Sequence, residues 1–363
     1  FTFTKKGFRW PHVTATATDV EGNTSEFGIR IGPPPCVVTS TAEMGAGTLR
    51  RCLLSASRTI SFAHSAFPPD DPATITLQSA LPPVFMDHLL IDGSDAGVVL
   101  NGQELTGREN GLDIDRAINV TVRGLQIVNF PGTGIYVWDC VGCVIGGDAT
   151  IGSGLLGQGN LISGNRQDGI WLKGNNNTIS GNYIGTNVSG EAILANKGDG
   201  IYLRDGNHNV IGGNKPGERN VISGNRGHGI HFHGVSSSTI CGNYIGTDVS
   251  GTMRLGNVGH GVSFRGYSDS NLVGGVLPAA GNTIAFNHGF EMHIIDDPRY
   301  VLRNIRNNRV EHNTIYDTQG IVARINADTV LTANDFTGSN VNYIEVDGAN
   351  LSGNRTWTYQ RGI

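Results

Sequence analysis

Between residues 168 and 324 one short phrase keeps returning, and nothing else in the chain constrains its fold so tightly. It reads Asp168-Gly-Ile-Trp-Leu-Lys-Gly, Asp199-Gly-Ile-Tyr-Leu-Arg, His228-Gly-Ile-His-Phe-His-Gly and His260-Gly-Val-Ser-Phe-Arg-Gly. Weaker copies follow at His288-Gly-Phe-Glu-Met-His and Gln319-Gly-Ile-Val-Ala-Arg. The anchoring apolar residues Ile170, Ile201, Ile230, Val262, Phe290 and Ile321 recur about every 30 residues, a period that marks units stacked along one axis. Each period holds three short runs that alternate apolar and polar residues between Gly and Asn, for example Asn177-Thr-Ile-Ser-Gly-Asn and Asn282-Thr-Ile-Ala-Phe-Asn. Three short strands per period, with no helical periodicity, predict an all-β chain: a right-handed parallel β-helix with three strands per coil. Asn165, Asn182, Asn225, Asn243 and Asn287 fall at repeated corners, where Asn suits left-handed turns and stacked amides bond from coil to coil.

The length of 363 residues fits one solenoid, because a solenoid grows along its axis. The 53 Gly are those of tight turns, since β-branched residues alternate throughout. A net charge of −5 argues against nucleic acid as a partner. No apolar run reaches membrane-spanning length. The chain opens on Phe1, with no initiator Met or leader in view, and reads as a mature form or a fragment. Of five cysteines, Cys36 and Cys52 flank one segment and can pair in a secreted protein. Cys140-Val-Gly-Cys143 lacks the second pair of a zinc site and reads as turn or core.

Three regions are expected. Residues 1–35 form a β extension, with strands at Val13–Thr18 and from Phe27, and a Pro linker. Residues 36–66 form an N-terminal helical cap around Gly47-Thr-Leu-Arg-Arg-Cys-Leu-Leu-Ser, covering open strand edges. Residues 67–363 form the β-helix, closed at its far end by 351–363 with Trp357 and Tyr359. Modest loops, such as 296–310, leave the groove shallow.

Strand parity then assigns faces. With Ile170 and Leu172 inward, Trp171 and Lys173 point outward. The same rule gives outward pairs Asp113/Asp115, Tyr136/Trp138, Tyr202/Arg204, His231/His233, Ser263/Arg265, Glu291/His293, Val322/Arg324 and Glu345/Asp347. The inward partners, among them Phe290/Met292, are all apolar. Aromatic, basic and acidic groups converge on one outer face. Rings one strand apart make a platform for sugars, and Arg, Lys and His suit carboxylate or sulfate. Tyr136, Trp138, Trp171, Lys173, Tyr202, Arg204, His231, His233, Arg265, His293 and Arg324 are the candidate substrate-binding residues. Just before the strands, Asp168 and Asp199 share one offset in adjacent coils. Two carboxylates so close repel, which raises one pKa and suits a general acid beside a base. His228 and His260 take the same offset in the next two coils. Asp168, Asp199, His228 and Glu291 are the candidate catalytic residues; no cofactor or metal is expected, although His228, His231 and His233 stand close in sequence.

The ordered phrases Gln167-Asp168-Gly-Ile, Gly198-Asp199-Gly-Ile, Gly227-His228-Gly-Ile and Ala323-Arg324-Ile325 resemble those of polygalacturonase-type glycoside hydrolases. The resemblance implies catalytic carboxylates at Asp168 and Asp199, assistance from His228 and substrate binding by Arg324. It departs where the second phrase has one Asp instead of two, and where Asn326 replaces a Lys. The stretch 220–257 resembles the repeats of bacterial surface and secreted β-helix proteins, NosD-like and carbohydrate-binding sugar-hydrolase domains among them. The phrase ending in Gly22-Asn-Thr-Ser-Glu-Phe resembles small β modules of such proteins, and Gly47-Thr-Leu-Arg the element before their β-helices. Together these imply a secreted or cell-surface protein that binds a polysaccharide and hydrolyses it through Asp168 and Asp199. A uronate lyase or epimerase using Tyr202, Arg204, His231, His233, Arg265, His293 and Arg324 is the alternative, as is an adhesin that only binds.

Overall fold

The computed structural model describes residues 15–18, 24–27, 34–295, 305–316, 323–326, 328–336 and 344–347. Within them, Ala15–Thr18 and Thr24–Phe27 form a two-stranded antiparallel hairpin, so the second strand precedes the expected one; 28–33 lie outside the described residues. The remaining strands make three parallel sheets of 11, nine and nine strands among the described residues. The chain visits all three sheets before returning to the first, one strand spacing further on, which is the winding of a right-handed parallel β-helix.

Cys36–Val38 and Thr59–Phe62, within the segment read as a cap, are already rungs of the 11-stranded sheet. Between them lies one short helix, Leu49–Leu53. Thr48 caps it, its hydroxyl accepting the Arg51 N–H, and Leu49 and Cys52 face the core. A disulfide joins Cys36 to Cys52 and ties the helix to the first rung. Cys140, Cys143 and Cys241 are free and buried.

The core is a column of Ile, Val, Leu and Phe stacked like on like. Phe232 and Phe264 lie with ring centres 4.9 Å apart and planes within 5°. Buried asparagines run beside this column. In one row Asn165, Asn196, Asn225 and Asn257 each pass an amide N–H to the side-chain oxygen of the next, the last to Asn287, at 2.8–2.9 Å. A second row contains Asn182, Asn220, Asn243 and Asn282. The bonding from coil to coil is as expected, but the turn argument is not the reason for it. None of the five corner asparagines has positive φ; those conformations fall to Asn119, Asn129, Asn176, Asn307 and others. The ladder asparagines instead give buried corner carbonyls a second donor, as Asn225 does for Ile184, whose oxygen also accepts the Ser223 N–H.

Candidate functional site

The third sheet, from Leu112–Asp115 to Ile344–Asp347, carries the candidate residues on its outer face. Its inward residues, from Ile135 and Val137 to Phe232, Phe264 and Ile325, are buried. Register then fixes an outer row: Asp113, Tyr136, Trp171, Tyr202, His231, Ser263, His293, Arg324 and Glu345 are successive partners. A second row beside it holds Asp115 with Trp138, and Arg204, His233 and Arg265 in succession.

At one end the rings of Tyr136 and Trp171 stack at 4.6 Å, and those of Trp138 and Trp171 at 5.6 Å. The Lys173 ammonium lies 4.6 Å from the Trp138 ring centre and 2.9 Å from the Asp139 carboxylate. Trp138 remains 36% exposed, so the platform opens to solvent. An irregularity after Val137 displaces this strand against its neighbour, and Asp139 takes the extra turn at φ 51°.

Beside the aromatic end, the residues ahead of each strand form a chain of acceptors. Asp168 Oδ1 accepts the Asp199 N–H at 2.7 Å, and Asp199 Oδ1 accepts the His228 N–H at 2.6 Å. His228 Nδ1 accepts the His260 N–H at 2.9 Å, and His260 Nδ1 accepts the Phe290 N–H at 2.8 Å. An Nδ1 that accepts a backbone N–H carries no proton, so both imidazoles are neutral with the proton on Nε2. Burial pushes their pKa values the same way, to about 4 for His228 and about 3 for His260.

The two aspartates diverge. Burial, followed by the Asp199 charge, raises Asp168 to about 7. Burial also works to raise Asp199, but the His231 hydrogen bond and the nearby His231 and His228 outweigh it and hold that carboxyl below its ordinary range. Asp199 Oδ2 lies 2.9 Å from His231 Nδ1, which donates to it and leaves Nε2 as the basic atom. That Nε2 is buried without a hydrogen-bond partner, and so is the hydroxyl of Ser263 on the next rung. Burial pushes the Tyr202 phenol up, which keeps it a proton donor.

Asp168 also sets a pH dependence of stability. Its folded pKa exceeds the ordinary 3.8, so the folded chain binds the extra proton between 3.8 and about 7, and this contribution fades as pH rises through that window. His228 and His260 act oppositely: the unfolded chain binds their protons first, so acid below about 6.5 weakens the fold. Asp168→Asn removes the opposing contribution. Denaturant titrations from pH 7 to 4 should show a steeper loss of stability in that variant than in the unaltered protein.

Glu291 is a correction. The likeness of Gly-Phe-Glu-Met-His to the earlier phrases puts it outward, with Phe290 and Met292 inward. The inward residues are Met292 and Ile294; Phe290 instead stands in the row of His260 and stacks on it at 5.3 Å. Glu291 occupies the corner position that Gly261 fills one coil earlier, and its fully buried carboxylate accepts the backbone N–H of Asn287 at 3.1 Å. The copy is two residues out of phase because its glycine-aromatic pair imitates the phrase at the wrong offset. Arg324 is also separated. It shares the row, but five rungs from the strand after Asp168, or about 24 Å at 4.8 Å per rung, so the two do not reach one sugar. It lies 3.4 Å from Glu345. His293 stacks on His260 at 4.1 Å, at the edge of the cluster. Residues 296–304 and 351–363, including Trp357 and Tyr359, and Val322 lie outside the described residues.

Among the described residues, Asp199, His228 and His231 form the one group whose donor atoms lie close enough, within 4.8 Å of one another, to share a metal ion. His233, considered from sequence alone, belongs instead to the row of Arg204 and Arg265. Sequence reading missed two partners, Asp139 and Asp205, which ion-pair with Lys173 and Arg204. The Asp-Gly that follows Arg204 was the available signal.

Fold and face together define a β-helix protein with a polar and aromatic outer face on one sheet. Residues 110–245 match the family described as the right handed beta helix region. Among solved structures, the A-module of the mannuronan C-5 epimerase AlgE6 of Azotobacter vinelandii superposes with a TM-score of 0.54 at 14% identity, over 80% of this chain and 78% of that one. The AlgE4 A-module of the same organism gives 0.47 at 14% identity, over 80% and 83%. An alginate lyase from Paenibacillus gives 0.37 at 14%, over 90% and 99%. At such identities the likeness is one of fold. No curated protein matches by sequence.

Proposed function

We propose that this protein is a carbohydrate-active enzyme that holds a polysaccharide along the outer row and transforms it by general acid–base chemistry. The observation that carries the reading is the hydrogen bond from His231 Nδ1 to Asp199, which orients the imidazole with Nε2 free to take a proton. Asp168, protonated up to about pH 7, stands at the same offset one coil before Asp199 and supplies the acid. The stacked rings of Tyr136, Trp138 and Trp171 give the sugar chain its apolar seat. The AlgE6 epimerase module, named for action on mannuronan, shares the fold. A secreted or surface location is part of the proposal and rests on the Cys36–Cys52 disulfide, a bond favoured in oxidising compartments. No helix among the described residues is long and apolar enough to cross a membrane.

The test is a panel of acidic and neutral glycans assayed for product, with His231→Ala beside the unaltered chain. Trp171→Ala should weaken glycan binding about two- to tenfold, the effect of one ring contact, with product formation persisting at saturating glycan. Titration calorimetry reads it.

A second reading, hydrolysis by the two aspartates, is favoured by their divergent pKa values, one raised and one lowered. Against it, both Asp199 oxygens are already engaged, by His228 N–H and by His231. Neutral-glycan cleavage that yields reducing ends without an unsaturated product would favour this second reading.

A further inference from the structure

Three cations of the outer face have carboxylate partners: Lys173 with Asp139, Arg204 with Asp205 and Arg324 with Glu345. Arg265 has none among the described residues. It shares a strand and a face with Ser263, two residues away, and pairs across the sheet with His233. Two residues along a strand span about 7 Å and one rung about 4.8 Å, so Arg265 stands within a sugar's breadth of His231. On the same face, His231 Nε2 and the hydroxyl of Ser263, its partner on the next rung, are buried without hydrogen-bond partners. A buried polar atom left unpaired is destabilising, a cost that a polar ligand seated there removes.

From this geometry we infer that the substrate is a uronate-containing polysaccharide, that Arg265 binds the carboxylate of the reacting sugar, and that His231 removes the proton on the adjoining ring carbon, C5. The inference rests on the acid–base reading above and narrows it to one substrate class. Nε2 takes the C5 proton, and the C–H electron pair passes into the carboxylate as an enediolate. The developing charge falls on the Arg265 guanidinium, which is always protonated and forks onto two oxygens. Two outcomes balance. In elimination the pair returns to form C4=C5, the C4–O bond breaks, and Tyr202 or Asp168 protonates the departing oxygen. In epimerisation a proton is delivered to the opposite face of C5. Neither step consumes an oxidant or a reductant.

The test uses the full chain with polymannuronate, polygalacturonate, carboxyl-reduced polygalacturonate and a sulfated neutral galactan. Ultraviolet absorbance reports unsaturated product, and reaction in heavy water reports deuterium at C5. The expected result is conversion of a polyuronate only, with kcat/KM falling about 10²–10³-fold in Arg265→Gln, as on removal of one charge-stabilising donor. Arg265→Lys, which keeps the charge, should recover part of the loss, and unchanged thermal unfolding should show that both variants fold. Cleavage of the carboxyl-reduced or sulfated glycan overturns the uronate assignment while leaving acid–base catalysis standing. Conversion of a polyuronate by Arg265→Gln at the unaltered rate overturns the role of Arg265. Conversion of none of the four glycans overturns the inference as well.

Discussion

Asp199→Asn is expected to fold, to bind glycan and, on the proposed acid–base reading, to turn it over about 10²–10⁴-fold more slowly than the unaltered chain, the span that a positioned acid–base group contributes. The amide keeps the oxygen that accepts the His228 N–H, so the chain of acceptors joining successive coils survives. What changes is the other atom. Asp199 Oδ2 accepts from His231 Nδ1, whereas an amide NH2 there donates, forcing the proton of neutral His231 onto Nε2. The base is lost with little change in shape. Single-turnover product formation measures the loss, and titration calorimetry with the same glycan shows that binding persists. Asp199→Ala is less informative, because it also strands the His228 N–H.

Asn225→Ala should lower stability by about 1–3 kcal/mol, because it leaves a buried amide N–H without its acceptor. Asn225 is fully buried; it donates to Ile184 O at 3.2 Å and its Oδ1 accepts the Asn196 amide at 2.9 Å. Alanine leaves one N–H of the buried Asn196 amide without its acceptor; that amide keeps its bond to Ile162 O, and the Ile184 carbonyl keeps the Ser223 N–H. The exposed Asn214, changed to Ala, should move stability by no more than about 0.5 kcal/mol. Urea unfolding of the two variants distinguishes the ladder from surface asparagine in general.

Much of the fold was legible because a stacked coil repeats its own constraints. Ile170, Ile201, Ile230 and Val262 recur with the same parity, and each has the same interior to fill. Parity was enough to put Trp171, Tyr202 and His231 in one row. It failed at Glu291, where a glycine-aromatic phrase sits two residues out of phase. The strand starts where its residues fill the core, at Met292, so the phrase has no say. The ladder asparagines were found through a turn rule, although their job is to give buried carbonyls a second donor, which composition does not reveal. The link from Asp199 to His231 spans 32 residues of sequence, from one coil to the next. The repeat places both residues, but only side-chain geometry shows that the carboxylate turns toward the imidazole. The same holds for Arg265, whose lack of a carboxylate partner among the described residues is a fact of its neighbours.

The account centres on one imidazole, and its most direct measurement is the rate of product formation by His231→Ala on a glycan that the unaltered protein converts. Calorimetry alongside it establishes that the variant still binds. The account predicts that binding stays within a few-fold while product formation falls by at least about 10²-fold. Product released by His231→Ala at the unaltered rate would contradict it, and the outer row would then be a surface that holds sugar without acting on it at this residue.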